Sequence, residues 1–338
     1  MGSGRWSTDT YDARAATRHL AGKSAFDYTD TLRRALPRDR WAPHPSLDPR
    51  GVRTRESRDS LEHPTSTAIA VIFDVTGSMG HIPVTLQQKL PQLLGVLLGK
   101  GYVEHPQILF GAVGDATCDR VPLQIGQFES DNRLDANLEN IVIEGGGGGH
   151  DTESYELALY VMARHTSLDC VEKRGRKGYL FLIGDERSYA RVSRRQVAHI
   201  IGDTLQEDIP VEQIVAELTR RYEVFYILPS GAAHGGERTI LDHWRALLGQ
   251  HVLELDDPDA VCETIALAIG LCEDAIALAD GANDLEEMGA SADAIAAATT
   301  ALTSLATRPG ARSVLAGDAL PGLDPDDARG IEPPIVRL

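Results

Sequence analysis

The sequence predicts an α/β fold: a doubly wound, mostly parallel, six-stranded sheet with helices on both faces. Apolar runs rich in β-branched residues alternate with segments of helical periodicity, which is typical of βα units. The runs are nearly continuous in apolar character, as expected for parallel strands that are covered on both faces. Ligands of such sheets bind at the carboxyl ends of the strands. The six predicted strands cover residues 68–73, 107–113, 121–128, 179–183, 222–228 and 251–255.

Helical segments are predicted between these strands. Leucines recur at helical spacing from Leu90 to Leu98, and Gly99 ends the run. Pro91 lies inside this segment and should kink or restart the helix. Further helices are predicted over residues 134–141, 154–159, 211–221 and 237–248, and from residue 258 onward.

The chain divides by composition into four predicted segments. Residues 1–65 form a basic extension and linker, 66–275 the α/β domain, 276–307 Ala-rich helices and 308–338 an irregular tail. The first 66 residues hold twelve Arg and Lys against nine Asp and Glu, whereas the whole chain carries a net charge of −17. Helical periodicity is confined there to residues 11–20 and 24–36, and residues 38–66 are predicted to be a solvated linker.

Composition indicates a soluble globular protein of the cytoplasm. Hydrophobic residues make up 42% and charged residues 25% of the chain, and no run approaches the roughly 18 apolar residues of a membrane span. The first residues lack the apolar core of a signal peptide. The acidic balance argues against nucleic-acid binding and favours a bound metal or a cationic partner. The four cysteines lack zinc-site or disulfide spacing, so reduced buried thiols are expected at positions 118, 170, 262 and 272.

Asp74, Thr76 and Ser78 follow the first predicted strand directly. Spacing of two along an extended segment aims these side chains to one side, so a carboxylate and two hydroxyls can converge on a hard cation. Oxygen ligands suit Mg²⁺, Mn²⁺ or Ca²⁺ rather than Zn²⁺. The alternative is a polar strand-to-helix turn in which Thr76 or Ser78 is an N-cap.

Two further acidic segments follow in the chain. Five glycines, 145–149, precede Asp151, Thr152 and Glu153 at the start of a predicted helix, and Asp185 ends the strand 179–183. The glycines lack the patterns of a phosphate-binding or dinucleotide-binding loop, so their expected use is to let Thr152 and Glu153 swing toward or away from a cation. The alternatives are an acidic helix cap at 151–153 and a solvated turn at Asp185.

Together these segments resemble the metal-ion-dependent adhesion site (MIDAS) of von Willebrand factor A (vWA) domains of the intracellular bacterial type. Asp74-x-Thr76-x-Ser78 is similar to the family's Asp-x-Ser-x-Ser, with Thr76 as a departure that keeps the hydroxyl. The family's loop ligand precedes a small–apolar pair, and counting back from Ala158-Leu159 reaches Glu153, with Thr152 as the alternative. Asp185 matches the Asp after the next long strand. The resemblance covers residues 66–275 and implies a Rossmann-like fold.

The resemblance implies a protein-interaction module rather than an enzyme. In the family, a partner protein fills the open coordination position of the metal with a carboxylate, and Mg²⁺ is the expected metal here, with Mn²⁺ or Ca²⁺ as substitutes. Intracellular members often work with AAA+ ATPases of the MoxR or chelatase type, which suggests an adaptor or subunit role. Glu153 as a ligand would tighten metal binding and weaken the attraction of an incoming acid.

Two other functions are compatible with these residues. A metal-dependent hydrolase could use the same carboxylates with His81 and His150, and Asp115 could support the metal from a neighbouring strand. Alternatively, the metal motif is degenerate, the sheet is a scaffold, and the basic N-terminal segment makes the contacts.

Overall fold

A computed structural model describes residues 4–50, 54–145, 151–230, 232–234 and 237–306. Its strands are β1 Arg55–Ser57, β2 Thr67–Asp74, β3 Pro106–Val113, β4 Leu123–Ile125, β5 Thr152–Glu153, β6 Thr166–Leu168, β7 Gly178–Ile183, β8 Arg187–Ser188, β9 Arg191–Val192, β10 Ile209–Pro210, β11 Tyr222–Pro229 and β12 Val252–Leu255. Its α-helices are α1 Thr8–Leu20, α2 Asp27–Ala35, α3 Ile82–Gln88, α4 Leu90–Gly99, α5 Arg133–Glu139, α6 Tyr155–Arg164, α7 Asp169–Glu172, α8 Arg194–Gln196, α9 Val211–Leu218, α10 Arg238–Leu248, α11 Val261–Cys272, α12 Leu278–Glu287 and α13 Ala292–Ala306.

The predicted six-stranded sheet is confirmed. Its strand order is β12-β11-β7-β2-β3-β4, and every neighbouring pair is parallel except β3 with the edge strand β4. Three short two-stranded ladders, β1 with β6, β5 with β8, and β9 with β10, lie outside this sheet. Because β2 and β7 are central and parallel, Asp74 and Asp185 come out at the same edge of the sheet.

The central strand β2 faces two hydrophobic cores. Ile69, Val71 and Phe73 pack in one core with apolar residues of α3, α4, α11 and α13, while Ala68, Ala70 and Ile72 pack in the other with residues of α6, α9 and α10. Successive side chains of a strand point to opposite faces, so an uninterrupted apolar run is what a sheet with helices on both sides requires.

Pro91 restarts the helix that follows the metal motif. The helical segment breaks at Lys89, and Pro91 occupies the first turn of α4. Backbone N–H groups in the first turn have no partner within the helix, so the N–H that proline lacks costs no helical hydrogen bond. At the other end of the domain, α12 and α13 occupy the Ala-rich segment and pack against α11. The predicted irregular tail, 308–338, lies outside the described residues.

The prediction of a solvated linker over residues 38–66 is wrong. Leu47 and Ser57 in this stretch are fully buried, and β1 pairs in parallel with β6. The Leu47 carbonyl accepts the N–H of Ile125 at 2.8 Å, and the buried guanidinium of Arg55 donates to the Ile125 carbonyl at 2.6 Å. The segment therefore covers the open edge at β4, whose backbone groups would otherwise lack partners.

Basic residues of α1 also contact the acidic domain. Arg14 and Arg18 form ion pairs with the buried carboxylate of Asp135 at 2.9 and 2.8 Å, and both pair with Glu139. These ion pairs hold α1 against α5 of the acidic domain.

Replacing Leu47 with alanine is expected to destabilise the protein by about 3 kcal/mol, because the substitution leaves a cavity beneath a fully buried position. Urea unfolding monitored by circular dichroism measures this change. Leu61→Ala is the control, since Leu61 is fully exposed in the same segment and its truncation should change stability by less than about 0.5 kcal/mol. Equal stability of the two variants would show that the segment does not pack on the sheet in solution.

The structure bears on two predictions made from composition, one about membrane spans and one about the cysteines. No helix among the described residues is long and apolar enough to cross a membrane. The four cysteines are free in the described structure. The prediction that all are buried is confirmed for Cys170 and Cys262, but Cys272 is only partly buried, and Cys118 is exposed in the loop after β3.

Candidate metal centre

Asp74 ends β2 and is fully buried. Its Oδ1 accepts the backbone N–H and the hydroxyl of Thr76, both at 2.6 Å, and its Oδ2 accepts the hydroxyl of Tyr155 at 3.0 Å. Burial raises the pKa of Asp74 from 3.8 to about 7, although the hydrogen bonds from Thr76 oppose the shift. Below about pH 7 this carboxyl group is therefore mostly protonated unless a positive charge lies nearby.

A chain of hydroxyls connects Asp74 to Asp185. The Thr76 hydroxyl lies 2.9 Å from the Ser78 hydroxyl, which donates to Asp185 Oδ1 at 2.8 Å. The backbone N–H of His234 donates to Asp185 Oδ2 at 3.0 Å. Neither hydroxyl caps a helix, since both bond to other side chains, and Asp185 is buried rather than in a solvated turn. The structure thus brings four of the predicted site residues together.

Glu153 lies in β5, which pairs with β8 just after Asp185. Its side chain is fully buried, and among the described residues no N–H or hydroxyl group donates to its carboxylate, which lies beside the carboxyl group of Glu186. Burial and the charge of Asp74 are the main causes that raise its pKa. The neighbouring Thr152 is only partly buried, and its hydroxyl lies 3.5 Å from Asp151 Oδ1.

The alternative of an acidic helix cap at residues 151–153 does not match these contacts. Asp151 forms an ion pair with Arg187 at 2.6 Å, and Ser154 is the N-cap of α6 without a side-chain capping bond. Gly145 has a positive φ of 64°, and its N–H donates to the carbonyl of Val75 at 3.3 Å, which brings the start of the Gly-rich loop next to Asp74. Residues 146–150, including His150 and the predicted swinging part of the loop, lie outside the described residues.

Glu186 is a buried acidic residue that the sequence reasoning missed. Burial raises its pKa to about 8, with further contributions from Asp74 and Asp185, while a side-chain hydrogen bond with Glu153 opposes the rise. The available signal was its position directly after Asp185, in a Gly-Asp-Glu sequence that follows a buried strand.

Three buried aromatic residues pack next to the site. Tyr226 stacks on Trp244 with ring centroids 4.1 Å apart, and Tyr155 meets the Trp244 ring edge-on at 5.4 Å. The Tyr226 hydroxyl and the Trp244 indole N–H both donate to the carbonyl of Glu186 at 2.9 Å. This packing fixes the backbone after Asp185 and the hydroxyl that contacts Asp74.

The structure also places Asp115 and His81, which the sequence suggested as further residues of a metal or hydrolytic site. Asp115 accepts hydrogen bonds from the Thr117 hydroxyl at 2.6 Å and from the Tyr189 hydroxyl at 3.0 Å, as part of the loop after β3. The imidazole of His81 is largely exposed and lies 3.5 Å from Asp259, outside the network that links Asp74 and Asp185. A hydrolytic role for His81 therefore has no support in this geometry.

The donor set fits a hard divalent cation. Among the described residues, no group of three or more His, Cys, Asp or Glu side chains is arranged to hold a metal ion by itself. The cradle instead combines the carboxylates of Asp74 and Asp185 with the hydroxyls of Thr76 and Ser78, and the buried carboxyl group of Glu153 lies near Asp74. Buried acidic oxygens without compensating donors are the groups that a cation would stabilise.

No family model matches the sequence, and no curated protein matches it. Solved structures with a similar fold include the pilus adhesin SpaC from Lactobacillus rhamnosus GG in its open conformation, at 10% identity and a TM-score of 0.44 over 64% of this chain and 31% of that one. Proximal thread matrix protein 1 from the mussel byssus, with a zinc-occupied MIDAS motif, has 11% identity and a TM-score of 0.38 over 61% and 47% of the two chains.

The vWF domain of the type V pili tip protein Mfa5 from Porphyromonas gingivalis has 11% identity and a TM-score of 0.40, over 61% of this chain and 96% of that domain. The chain thus spans less than half the length of SpaC and of the mussel protein. At these identities the likeness concerns the fold alone. The sheet has helices on both faces, and its carboxyl edge brings together Asp74, Thr76, Ser78 and Asp185. With this arrangement and this strand order, the chain has the α/β fold of a von Willebrand factor A domain.

Proposed function

We propose that the chain is a divalent-metal-dependent protein-interaction module. Mg²⁺ would be held by Asp74, Thr76, Ser78, Asp185 and Glu153, with Mn²⁺ or Ca²⁺ as substitutes. The observation that carries the proposal is the unbroken hydrogen-bonded path from Asp74 through the two hydroxyls to Asp185, which joins the ends of two central strands. Thr152 is the alternative loop ligand.

The exposure of the site favours contact with a large partner. Asp74 and Asp185 are buried, whereas Ser78 is partly exposed and the adjoining Gly77 is exposed, so the cradle opens to solvent at the start of the loop after β2. When bound, the cation supplies positive charge at this opening. In a chain with a net charge of −17, that charge is what would attract a partner's carboxylate.

The resemblance to intracellular vWA proteins extends the proposal to an adaptor or subunit in the cytoplasm that works with an AAA+ ATPase of the MoxR or chelatase type. A pull-down from lysate in Mg²⁺, repeated in EDTA and with the Asp74→Ala variant, tests this extension. A partner retained only by the metal-loaded wild type supports it, and equal retention in all three conditions contradicts it.

Calorimetric titration of chelator-stripped protein with Mg²⁺ and with Mn²⁺ tests the metal site. We expect saturable binding by the wild type, no binding by Asp74→Ala, and binding at least about tenfold weaker in Glu153→Ala. Thr152→Ala should bind like the wild type if Glu153 is the loop ligand, and the reverse pattern assigns that role to Thr152.

Asp242→Ala is the matched control for lost acidity. Asp242 is an exposed aspartate on α10, and its only ion pair among the described residues is a 4.0 Å contact with Arg238. This variant should bind metal like the wild type. A wild-type protein that binds neither ion would disprove the proposed function.

A further inference from the structure

We propose that a basic surface formed by Arg50, Arg120, Arg195 and His199 binds an acidic segment of a protein partner, rich in aspartate or glutamate. The surface borders a cavity of about 450 Å³ beside β4. It lies outside the metal cradle and attracts carboxylates with its own side chains rather than with a bound cation. The inference therefore goes beyond the proposed function and does not depend on it.

Three segments that are distant in sequence enclose this cavity. They are the N-terminal segment around Arg50, the loop that joins β3 to β4, and the π-helical turn Val197–Ile201. π-Helical turns are rare and frequently occur at functional sites. Apolar walls of the cavity are formed by Pro43, Pro49, Val121, Pro122 and Ile200. The cavity can therefore receive an apolar side chain of a bound segment.

The basic side chains are exposed, and they start from fixed backbone positions. The guanidinium of Arg50 donates to the carbonyl of His199 at 3.0 Å, which joins the N-terminal segment to the π-helical turn. The backbone N–H of Arg120 donates to the carboxylate of Glu144 at 3.0 Å. Arg195 lies one turn before His199 in the same helical segment, so these two side chains share one face.

The three arginines lack carboxylate partners within the chain. Among the described residues, Arg50, Arg120 and Arg195 form no ion pair, whereas Arg164 bonds to Glu217 through two nitrogens at 2.8 Å. Acidic residues outnumber basic ones by 50 to 33 in this sequence, so carboxylates to pair with are not scarce. Guanidinium groups without such partners keep their donors available for carboxylates of another molecule.

Two acidic residues also line the cavity, but neighbouring groups offset their charges. The carboxylate of Asp119 lies 3.3 Å from the guanidinium of Arg38. Asp48 accepts the backbone N–H of Arg50 at 2.9 Å, and the buried guanidinium of Arg55 lies 3.3 Å from the Asp48 carbonyl. The surface is therefore locally positive in a chain whose net charge is −17.

An acidic protein segment fits this surface better than a nucleic acid does. Clusters of arginine are a recurring means of recognising acidic motifs. Single-stranded nucleic acids are bound largely by stacking of their bases on aromatic side chains, and none of the described residues that line the cavity is Phe, Tyr or Trp. The acidic remainder of the chain would also repel a long polyanion that extends past the surface.

The basic surface lies at the same edge of the sheet as the candidate metal centre. The N–H of Ala116 donates to the hydroxyl of Ser154 at 2.9 Å, and Ser154 directly follows Glu153. Arg120 is four residues after Ala116, a separation of at most about 14 Å. A protein partner bound at either place is therefore large enough to contact the other.

The test measures binding of a fluorescein-labelled peptide of eight glutamates with a central leucine, by fluorescence anisotropy at low salt. EDTA is present throughout, so that binding does not involve the metal site. The double variant Arg120→Ala/Arg195→Ala removes two charges of the basic surface. Calorimetric titration of this variant with Mg²⁺, compared with the wild type, checks that the rest of the domain is intact.

Arg5→Ala/Arg220→Ala is the matched control, because it removes two exposed arginines that form no ion pair among the described residues. Arg220 lies just before β11, and Arg5 lies near His105, which directly precedes β3. Both are therefore at the amino edge of the sheet, opposite the basic surface.

We expect Arg120→Ala/Arg195→Ala to bind the peptide about tenfold more weakly than the wild type, and the control to stay within about twofold of it. Added salt should weaken wild-type binding, because exposed charges are screened. No binding by the wild type, or equal affinities of the two double variants, would overturn the inference.

Two further results would assign the surface to another occupant and also overturn the inference. One is tighter binding of a labelled octathymidylate than of the peptide, which would indicate a nucleic acid. The other is self-association in sedimentation experiments that is lost only in Arg120→Ala/Arg195→Ala, which would indicate a second copy of the chain. Since all these measurements are made in EDTA, none of them decides whether the proposed metal-dependent function holds.

Discussion

Replacing Gly184 with alanine is expected to destabilise the protein by about 3 kcal/mol or more and to disrupt the candidate metal centre. A Cβ at this position would lie 1.7 Å from the hydroxyl oxygen of Tyr155 and 2.7 Å from its Cζ. Tyr155 cannot easily move, because it is fully buried against Trp244 and Tyr226 and donates to Asp74. The clash must therefore displace either the strand end that carries Asp185 or the tyrosine that contacts Asp74.

Urea unfolding and Mn²⁺ calorimetry measure the two effects of Gly184→Ala. Gly99→Ala is the matched control, since a Cβ at Gly99, the last residue of α4, meets no atom within 4 Å. Adding Tyr155→Phe to Gly184→Ala should recover part of the stability, because it removes the closest contact but leaves the ring. A Gly184→Ala protein as stable as Gly99→Ala would show that Tyr155 does not pack on this strand end.

Replacing Asp74 with asparagine is expected to stabilise the metal-free protein at pH 8 while abolishing metal binding. Burial raises the pKa of Asp74 from 3.8 in its ordinary range to about 7 in the folded chain. A carboxyl group with a raised pKa in the folded state destabilises that state when it ionises. Its contribution to stability is therefore largest at a pH below its pKa in the unfolded chain, and it is lost as pH rises through its pKa in the folded chain. For Asp74 this window runs from about pH 4 to pH 7, and the loss is on the order of 4 kcal/mol.

The pH dependence of unfolding separates this effect from other titrations. Urea unfolding in EDTA at pH 5 and pH 8 should show Asp74→Asn gaining stability relative to the wild type as pH rises, whereas Asp242→Asn should follow the wild type. Mg²⁺ at pH 8 should restore stability to the wild type but not to Asp74→Asn, since bound ligand stabilises only the protein that holds it. If the stability of the wild type and of Asp74→Asn changes with pH in parallel, Asp74 is not a buried carboxylate that lacks a compensating charge.

Much of the fold could be predicted because its signals are local. The apolar run 68–73 and its counterparts mark strands whose both faces are covered, and Pro91 marks the restart of a helix. Residues 38–66 were predicted wrongly because their charged, Pro-rich composition resembles a linker. Their burial depends on the open edge of β4, a partner distant in sequence, which the hydrogen bonds of Leu47 and Arg55 to Ile125 satisfy.

Some features of the candidate site could likewise be predicted from the sequence, and others could not. The sequence by itself determined that Asp74, Thr76 and Ser78 leave one strand and Asp185 another, since periodicity places them at strand ends and parallel strands share a carboxyl edge. Only the tertiary structure decided that Asp151 pairs with Arg187 and that Glu153 and Glu186 are both buried. Those outcomes depend on the β5–β8 ladder and on the packing of Tyr155, Tyr226 and Trp244, whose contacts join residues far apart in the chain and leave no local pattern in the sequence.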